Sequence, residues 1–319
     1  MRFALDALSV DVAPAQVAEA RAFYASRAAG RGPSGPDELR DVRAGRSAPD
    51  TAHPPAIEEA VDVGGPSVPV RIFAPSDAAA RGVYLDIHGG GFYMDSAARD
   101  DVRNRALADS LGVVVVSVDY RLAPEQPWPA APDDCAAVAC WLVEHAPERF
   151  GTSRLAIGGT SAGATLAATT LLRLRDRGAV GGFVGAALQF GTYDLSARTP
   201  AGRRIATEYF LQAYLGHVED RTVPAVSPVY GDLRGLPPTL LVVGAEDVLL
   251  EDNLAMAGRL SAAGNDVELR IYPAAPHGFT RHTTALAATA LGDIESWLLD
   301  RLASHAGDRD HPGVRDAGR

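Results

Sequence analysis

The chain has 319 residues, 47% of them hydrophobic and 22% charged, and a formal net charge of −10. That length suits one large α/β domain or two small ones, and the composition allows a buried core, excludes a disordered chain and argues against binding nucleic-acid phosphates. All 30 basic residues are arginine, which excludes Schiff-base, P-loop and kinase lysines and Ser–Lys dyads.

At the N-terminus Asp6 interrupts the apolar run after Arg2, so no secretory signal is read there. Apolar runs such as Val113–Val116 are far too short to span a bilayer. A cytoplasmic protein with no membrane or nucleic-acid partner is expected. The spacing of Val17, Phe23 and Tyr24 predicts a helix over 14–28, with Asp11 as its start signal. Residues 30–55 are rich in Gly, Pro and Arg without a period and read as loop or a loose lid. Val61–Val63 and Val68–Phe73, around Gly64-Gly65-Pro66, predict a hairpin. Gly82–Ile87 reads as a strand ending in His88-Gly89-Gly90-Gly91, and a helix is expected at about 98–111.

From there strand and helix alternate. Val113–Val118 is a continuous apolar run, as in a strand covered on both faces. A helix over Pro132–Glu144 carries Cys135 and Cys140, which lie five apart and point in different directions. They read as core residues in a reducing compartment, not as a disulfide or a zinc pair. A strand at Leu155–Ile157 precedes a helix at Ser161–Arg177. Further strands are predicted at Val184–Phe190, Thr239–Val243 and Val267–Tyr272, with helices at 251–262 and 284–303. This alternation predicts a mostly parallel sheet with helices on both faces. Residues 195–236 break the rhythm: Tyr209, Phe210 and Tyr214 stand at helical spacing, and the interval reads as an insertion above the sheet. The polar tail after Ala303 is expected to be mobile.

Three segments carry chemistry. Gly159-Thr-Ser161-Ala-Gly163 stands directly between a strand and a helix. A turn that sharp lifts a serine above the sheet edge and leaves no room for side chains beside it. His88-Gly89-Gly90-Gly91 offers backbone N–H groups to an oxyanion, joined by Ala162 at the start of the helix. His88 itself reads as holding the loop. A serine nucleophile needs a base. Among eight histidines, His277 in Pro273-Ala-Ala-Pro-His-Gly-Phe279 follows the last strand at the edge where catalytic groups gather, with His282 as rival. Asp247, just past the strand before, is the candidate carboxylate partner, with Glu246, Glu251 and Asp252 as alternatives. Phe92 and Tyr93, after the glycines, and Tyr209, Phe210 and Tyr214 are candidate substrate-pocket aromatics. Asp119, Arg121 and Glu125 read as a loop-fixing ionic cluster, and Asp133 and Asp134 as helix caps.

These segments resemble the hormone-sensitive-lipase-type family of α/β-hydrolase esterases over about 57–303. His88–Gly91 is similar to its HGGG motif, Tyr120-Arg-Leu-Ala-Pro-Glu125 to its YRLAPE box, and Gly159–Gly163 to the GTSAG form of its elbow. Asp247-Val-Leu resembles its D-P-L segment and His277-Gly-Phe279 its HGF. The resemblance implies an α/β-hydrolase fold, with a mostly parallel central sheet, helices on both faces and a helical cap. The cap would come from residues 1–55 and 195–236, the body from 56–304, and 305–319 would be the tail. It implies Ser161 as nucleophile, His277 as base, Asp247 as its partner, and Gly89, Gly90 and Ala162 as oxyanion donors. The substrate would be a small-molecule ester with a short acyl chain, no metal or other cofactor would be needed, and a homodimer through the last strand is suggested. Two departures stand out: Asp95 where the family commonly has Gly, near the mouth where it would alter substrate preference, and Val248 for the usual Pro. The same triad also serves lactone and amide hydrolases and acyltransferases. Gibberellin receptors resemble the family too, but lack the catalytic histidine that His277 matches here.

Overall fold

The computed structural model describes residues 8–27, 31–62, 64–76 and 79–303, so the predicted tail, and Val63 of the predicted hairpin, lie outside the described residues. Among the described residues eight strands form one sheet: β1 (Ile57–Val61), β2 (Val68–Phe73), β3 (Val83–Ile87), β4 (Val114–Val118), β5 (Leu155–Thr160), β6 (Phe183–Gln189), β7 (Thr239–Gly244) and β8 (Val267–Tyr272). Their order is β1-β2-β4-β3-β5-β6-β7-β8. β2 runs antiparallel to β1 and β4, and every pairing from β4 to β8 is parallel. The carboxyl ends of β3, β5, β6, β7 and β8 therefore share one edge.

Side-chain alternation divides the core. Leu85, Ile87, Val116, Ile157 and Leu188 point into one layer, and Tyr84, Val115, Ala156 and Ala187 into the other. The first layer is closed by α4 (Ala130–Phe150), α5 (Ala162–Asp176) and α8 (Leu250–Ala262). The second is closed by α3 (Asp101–Leu111) and α9 (Ala285–Ala303). Because both layers are apolar, the central strands read as continuous hydrophobic runs.

Several elements differ from the sequence reading. α1 spans Pro14–Ala25 and is opened by Pro14, not capped by Asp11. It lies against α9, where Glu19 accepts from the Ala285 N–H (3.1 Å) and Gln16 donates to Thr289 (2.9 Å). The aperiodic stretch 30–55 contains a helix, α2 (Pro36–Ala44), with Pro36 at its start, Asp37 and Glu38 in its first turn, and Leu39 buried. Two or three turns supply too few positions for a period to show, whereas the start signals are local. α4 continues past Glu144 to Phe150 and through Pro147. Ala139, Leu142, Ala146 and Phe150 extend one apolar stripe along it. β5 continues through Gly158 and Gly159; at Gly158 Tyr84 Oη and the Ala187 carbonyl pack too closely for a side chain.

The expected ionic cluster divides among separate partners. Asp119 accepts from the Ala97 N–H (2.9 Å), Arg121 grips Asp134 (2.7 and 2.9 Å), and Glu125 pairs with Arg43 of α2 (2.6 Å). Asp133 and Asp134 lie inside α4, whose first residue is Ala130, so neither caps it; Asp133 pairs with Arg173 of α5. Cys135 is buried in α4 and Cys140 half-buried, both free.

Between β6 and β7, residues 195–236 form α6 (Pro200–Arg204) and α7 (Tyr209–Leu215). α2 is fastened at the sheet edge by Arg43, which donates to the carbonyls of Tyr93 (2.9 Å) and Ala123 (2.6 Å). Residues from 31–46 and from 204–210 thus face the carboxyl edge of the sheet across a cavity, while α1 stands on the flank.

Candidate active site

Ser161 sits between β5 and α5 with φ 53° and ψ −117°, a conformation that L-residues rarely adopt. The turn is held because the Ser161 N–H donates to the Gln189 carbonyl at the end of β6 (2.9 Å). It also needs glycine on both sides: a Cβ at Gly159 or Gly163 would meet the Ile87 carbonyl oxygen at 2.4 or 1.9 Å. β3 therefore runs against the turn, and its next residues, His88–Gly91, are brought beside the serine.

That glycine loop has its own constraints. Gly90 has φ 109°, and a Cβ there would lie 2.1 Å from the Met94 carbonyl oxygen. The N–H groups of Gly89 and Gly90 carry no backbone hydrogen bond among the described residues. The Ala162 N–H opens α5 and has no partner within the helix. Below the loop, His88 is buried and stacked on Tyr120, with ring centroids 4.1 Å apart. Burial pulls its pKa down, so the ring is neutral; Nδ1 lies 2.7 Å from the Gly89 carbonyl and so carries the proton it donates. The Tyr120 hydroxyl donates to the His88 carbonyl (3.0 Å). His88 thus braces the loop from beneath, out of reach of the cavity.

His277 follows β8, and its Nε2 is 3.0 Å from Ser161 Oγ. Its Nδ1 is 3.1 Å from both carboxylate oxygens of Asp247, which follows β7. Asp247 is buried, and its Oδ1 also accepts from the Leu249 N–H (2.8 Å). Phe190 packs edge-on to the imidazole at 5.2 Å. The rivals lie elsewhere. His282 contacts Phe23 and Tyr24 of α1. Glu246 and Glu251 are exposed, and Asp252 accepts from the backbone of Tyr193 and Asp194.

Ser161, His277, Gly89, Gly90 and Ala162 line one cavity of about 640 Å³, within the usual range of ~300–1,000 Å³ for small-molecule sites. Of the five candidate aromatics, Phe92, Tyr93 and Phe210 line it. Tyr214 lies behind the wall, buried and stacked on Phe92 at 4.1 Å, and Tyr209 packs edge-on against Tyr93. Burial, reinforced by Glu208, pushes Tyr93 up to about 12, so its phenol stays protonated at neutral pH. Several further lining residues escaped the sequence reading. Thr192 and Phe190 follow β6, and arginines enter from the N-terminal segment, the loop after the glycines and the segment after His277. Only Arg281, four residues past His277, had a local signal. Among the described residues no group of three or more His, Cys, Asp or Glu gathers as a metal-ligand set, and no helix is long and apolar enough to cross a membrane.

A family model described as alpha/beta hydrolase fold matches residues 84–281. The carboxylesterase NlhH of Mycobacterium tuberculosis is 34% identical over 256 residues, 75% of this chain and 79% of its own length. The ethyl acetate hydrolase of Pseudomonas putida is 32% identical over 232 residues, 68% of this chain and 73% of its own. Among solved structures, the hormone-sensitive-lipase homologue EstE7 from a metagenome library superposes with a TM-score of 0.69 at 32% identity, covering 83% of this chain and 92% of that one. An esterase of Pyrobaculum calidifontis superposes with a TM-score of 0.72 at 28% identity, covering 78% and 86%. The chain belongs to the α/β-hydrolase fold family, and within it to the carboxylic ester hydrolases of hormone-sensitive-lipase type.

Proposed function

We propose that the chain hydrolyses carboxylic esters through a Ser161–His277–Asp247 triad and an acyl-enzyme. The observation that carries this reading is the continuous relay from Ser161 Oγ to His277 Nε2 at 3.0 Å and from Nδ1 to a buried carboxylate at 3.1 Å, opening into the cavity beside free backbone donors. Ser161 Oγ attacks the acyl carbon while its proton passes to Nε2. The carbonyl oxygen becomes an oxyanion and takes hydrogen bonds from the N–H groups of Gly89, Gly90 and Ala162. The intermediate collapses, the alcohol leaves with the proton from Nε2, and water repeats the sequence on the acyl-enzyme. Asp247 holds the imidazole in the tautomer whose Nε2 accepts.

The segments 31–46 and 195–236 act as the cap over this cavity, on the 56–304 body. The buried Phe92–Tyr214 stack closes one wall, which supports acyl chains of about eight carbons or fewer, because each further CH₂ gains its ~0.8 kcal/mol only where apolar wall meets it. The test is a panel of p-nitrophenyl esters from acetate to palmitate, with fluorophosphonate labelling. Ser161→Ala is expected to abolish labelling and lower kcat by about 10⁶. Retention of more than a few per cent of activity, or an optimum at palmitate, would overturn the corresponding part of the reading.

A further inference from the structure

The cavity mouth is cationic on a protein whose formal net charge is −10. Among the described residues five arginines line the cavity against two carboxylates, Asp95 and Glu208. Three of the arginines converge from distant parts of the chain: Arg46 just past α2, Arg99 in the turn before α3, and Arg281 beyond His277. Arg46 and Arg281 flank Asp95, and Arg99 stands close to Arg46; Asp95 follows the glycine loop closely enough that a Cβ on Gly90 would lie 3.1 Å from its Cβ. Arg46 takes Asp95 directly. Arg281 stands at 3.9 Å from Asp95 and 3.8 Å from Asp100, beyond hydrogen-bond distance of either. Arg99 donates to a neutral acceptor, the Ser47 carbonyl (2.6 Å), and has no carboxylate within 4.0 Å among the described residues.

The cluster is therefore short of negative charge. Burial first, and then the neighbouring Arg99 and Arg281 charges, lower the Arg46 pKa. Across the cavity, exposed Arg204 on α6 likewise has no carboxylate partner among the described residues, while Glu208 stands near Tyr93. Arg31 is held by Glu38. Holding like charges beside one another costs free energy that an anion placed among them would recover, and a planar guanidinium is shaped for a carboxylate.

We propose that this mouth selects esters that carry a carboxylate, bound at Arg99 between Arg46 and Arg281, within the same cavity as Ser161. The proposal rests on the esterase reading above. An acidic protein repels anions at long range, so the local arginines would act as a funnel as well as a contact. The carboxylate can sit on the acyl or on the alcohol side, and two substrate pairs separate these sources. Mono-p-nitrophenyl adipate against p-nitrophenyl hexanoate tests the acyl side, after subtraction of spontaneous hydrolysis. 4-Acetoxybenzoate against 4-acetoxybenzamide tests the alcohol side.

At low ionic strength the anionic member of at least one pair is expected to show a kcat/KM about tenfold above its neutral partner. That preference should shrink toward unity as salt is raised to about 0.5 M, where screening falls to a few ångströms. Arg99→Gln should cut the preference about fivefold or more, chiefly through KM for the anionic ester. Arg234→Gln makes the same change in net charge at an exposed loop and should leave the preference where it was. Neutral esters preferred in both pairs, or a preference insensitive to both salt and Arg99→Gln, would overturn the proposal while leaving ester hydrolysis standing. The salt series on the unaltered protein decides the matter even if Arg99→Gln fails to fold. If no ester of any charge is turned over and Ser161 takes no fluorophosphonate label, the esterase reading falls, and this proposal with it.

Discussion

Asp247→Asn changes one atom of the site, and its effect can be worked through from the geometry. Asp247 Oδ1 accepts from the Leu249 N–H at 2.8 Å, and both carboxylate oxygens lie 3.1 Å from His277 Nδ1. An asparagine keeps the Leu249 bond only by placing its amide oxygen there. Its NH₂ then faces Nδ1, which must become an acceptor. The ring proton moves to Nε2, the atom 3.0 Å from Ser161 Oγ, so the base points a hydrogen at the group it should deprotonate. In the Ser-His-Asp template this reversal costs about 10⁴ in kcat, or about 5.5 kcal/mol of barrier. The Leu249 bond and side-chain volume are kept, so the fold should survive, which unfolding curves in urea would verify. The assay is kcat on p-nitrophenyl butyrate, with Glu251→Gln beside it as an exposed acid one helical turn away. A kcat within tenfold of the unaltered protein, or a larger loss for Glu251→Gln, would refute the assignment of Asp247.

Two stability predictions follow from other parts of the molecule. Burial pushes Asp252 up to about 7, against the pull of the Tyr193 and Asp194 N–H donors. Its unfolded value is about 3.9, so stability is full below that pH and is lost as pH rises through 7, by at most about 4 kcal/mol. Asp252→Asn should flatten this loss between pH 5 and 8 in urea unfolding; parallel pH curves for the two proteins would contradict it. Gly258 and Gly292 lie inside α8 and α9 with nothing within 4 Å of an added Cβ. Replacing each by alanine should stabilise by about 0.5–1 kcal/mol, and a lower melting temperature for either would show that the space is not open.

The sequence alone determined the elements whose constraints are local. The strands read as apolar runs because both layers of the core cover them, and the turn at Ser161 was legible because its backbone demands glycine at 159 and 163. The glycine loop after β3 was legible for the same reason. Candidate bases and acids were narrowed by a rule of position, that groups just past parallel strands share one edge. Helix α2 was missed because a short helix carries start signals but no period, and α4 outruns its predicted end at Glu144 because its apolar stripe continues through Pro147 to Phe150. Only the tertiary structure decided which candidates meet. Ser161 and His277 are 116 residues apart, and the sheet order sets their 3.0 Å contact; burial separates Asp247 from its exposed neighbours. The same packing sends Tyr214 behind Phe92, seats α1 against α9, and gathers Arg46, Arg99 and Arg281 on the wall of one cavity. No local pattern encodes that convergence, because a guanidinium's chemistry depends on its neighbours in space, and those are chosen by chain topology and not by spacing along the chain.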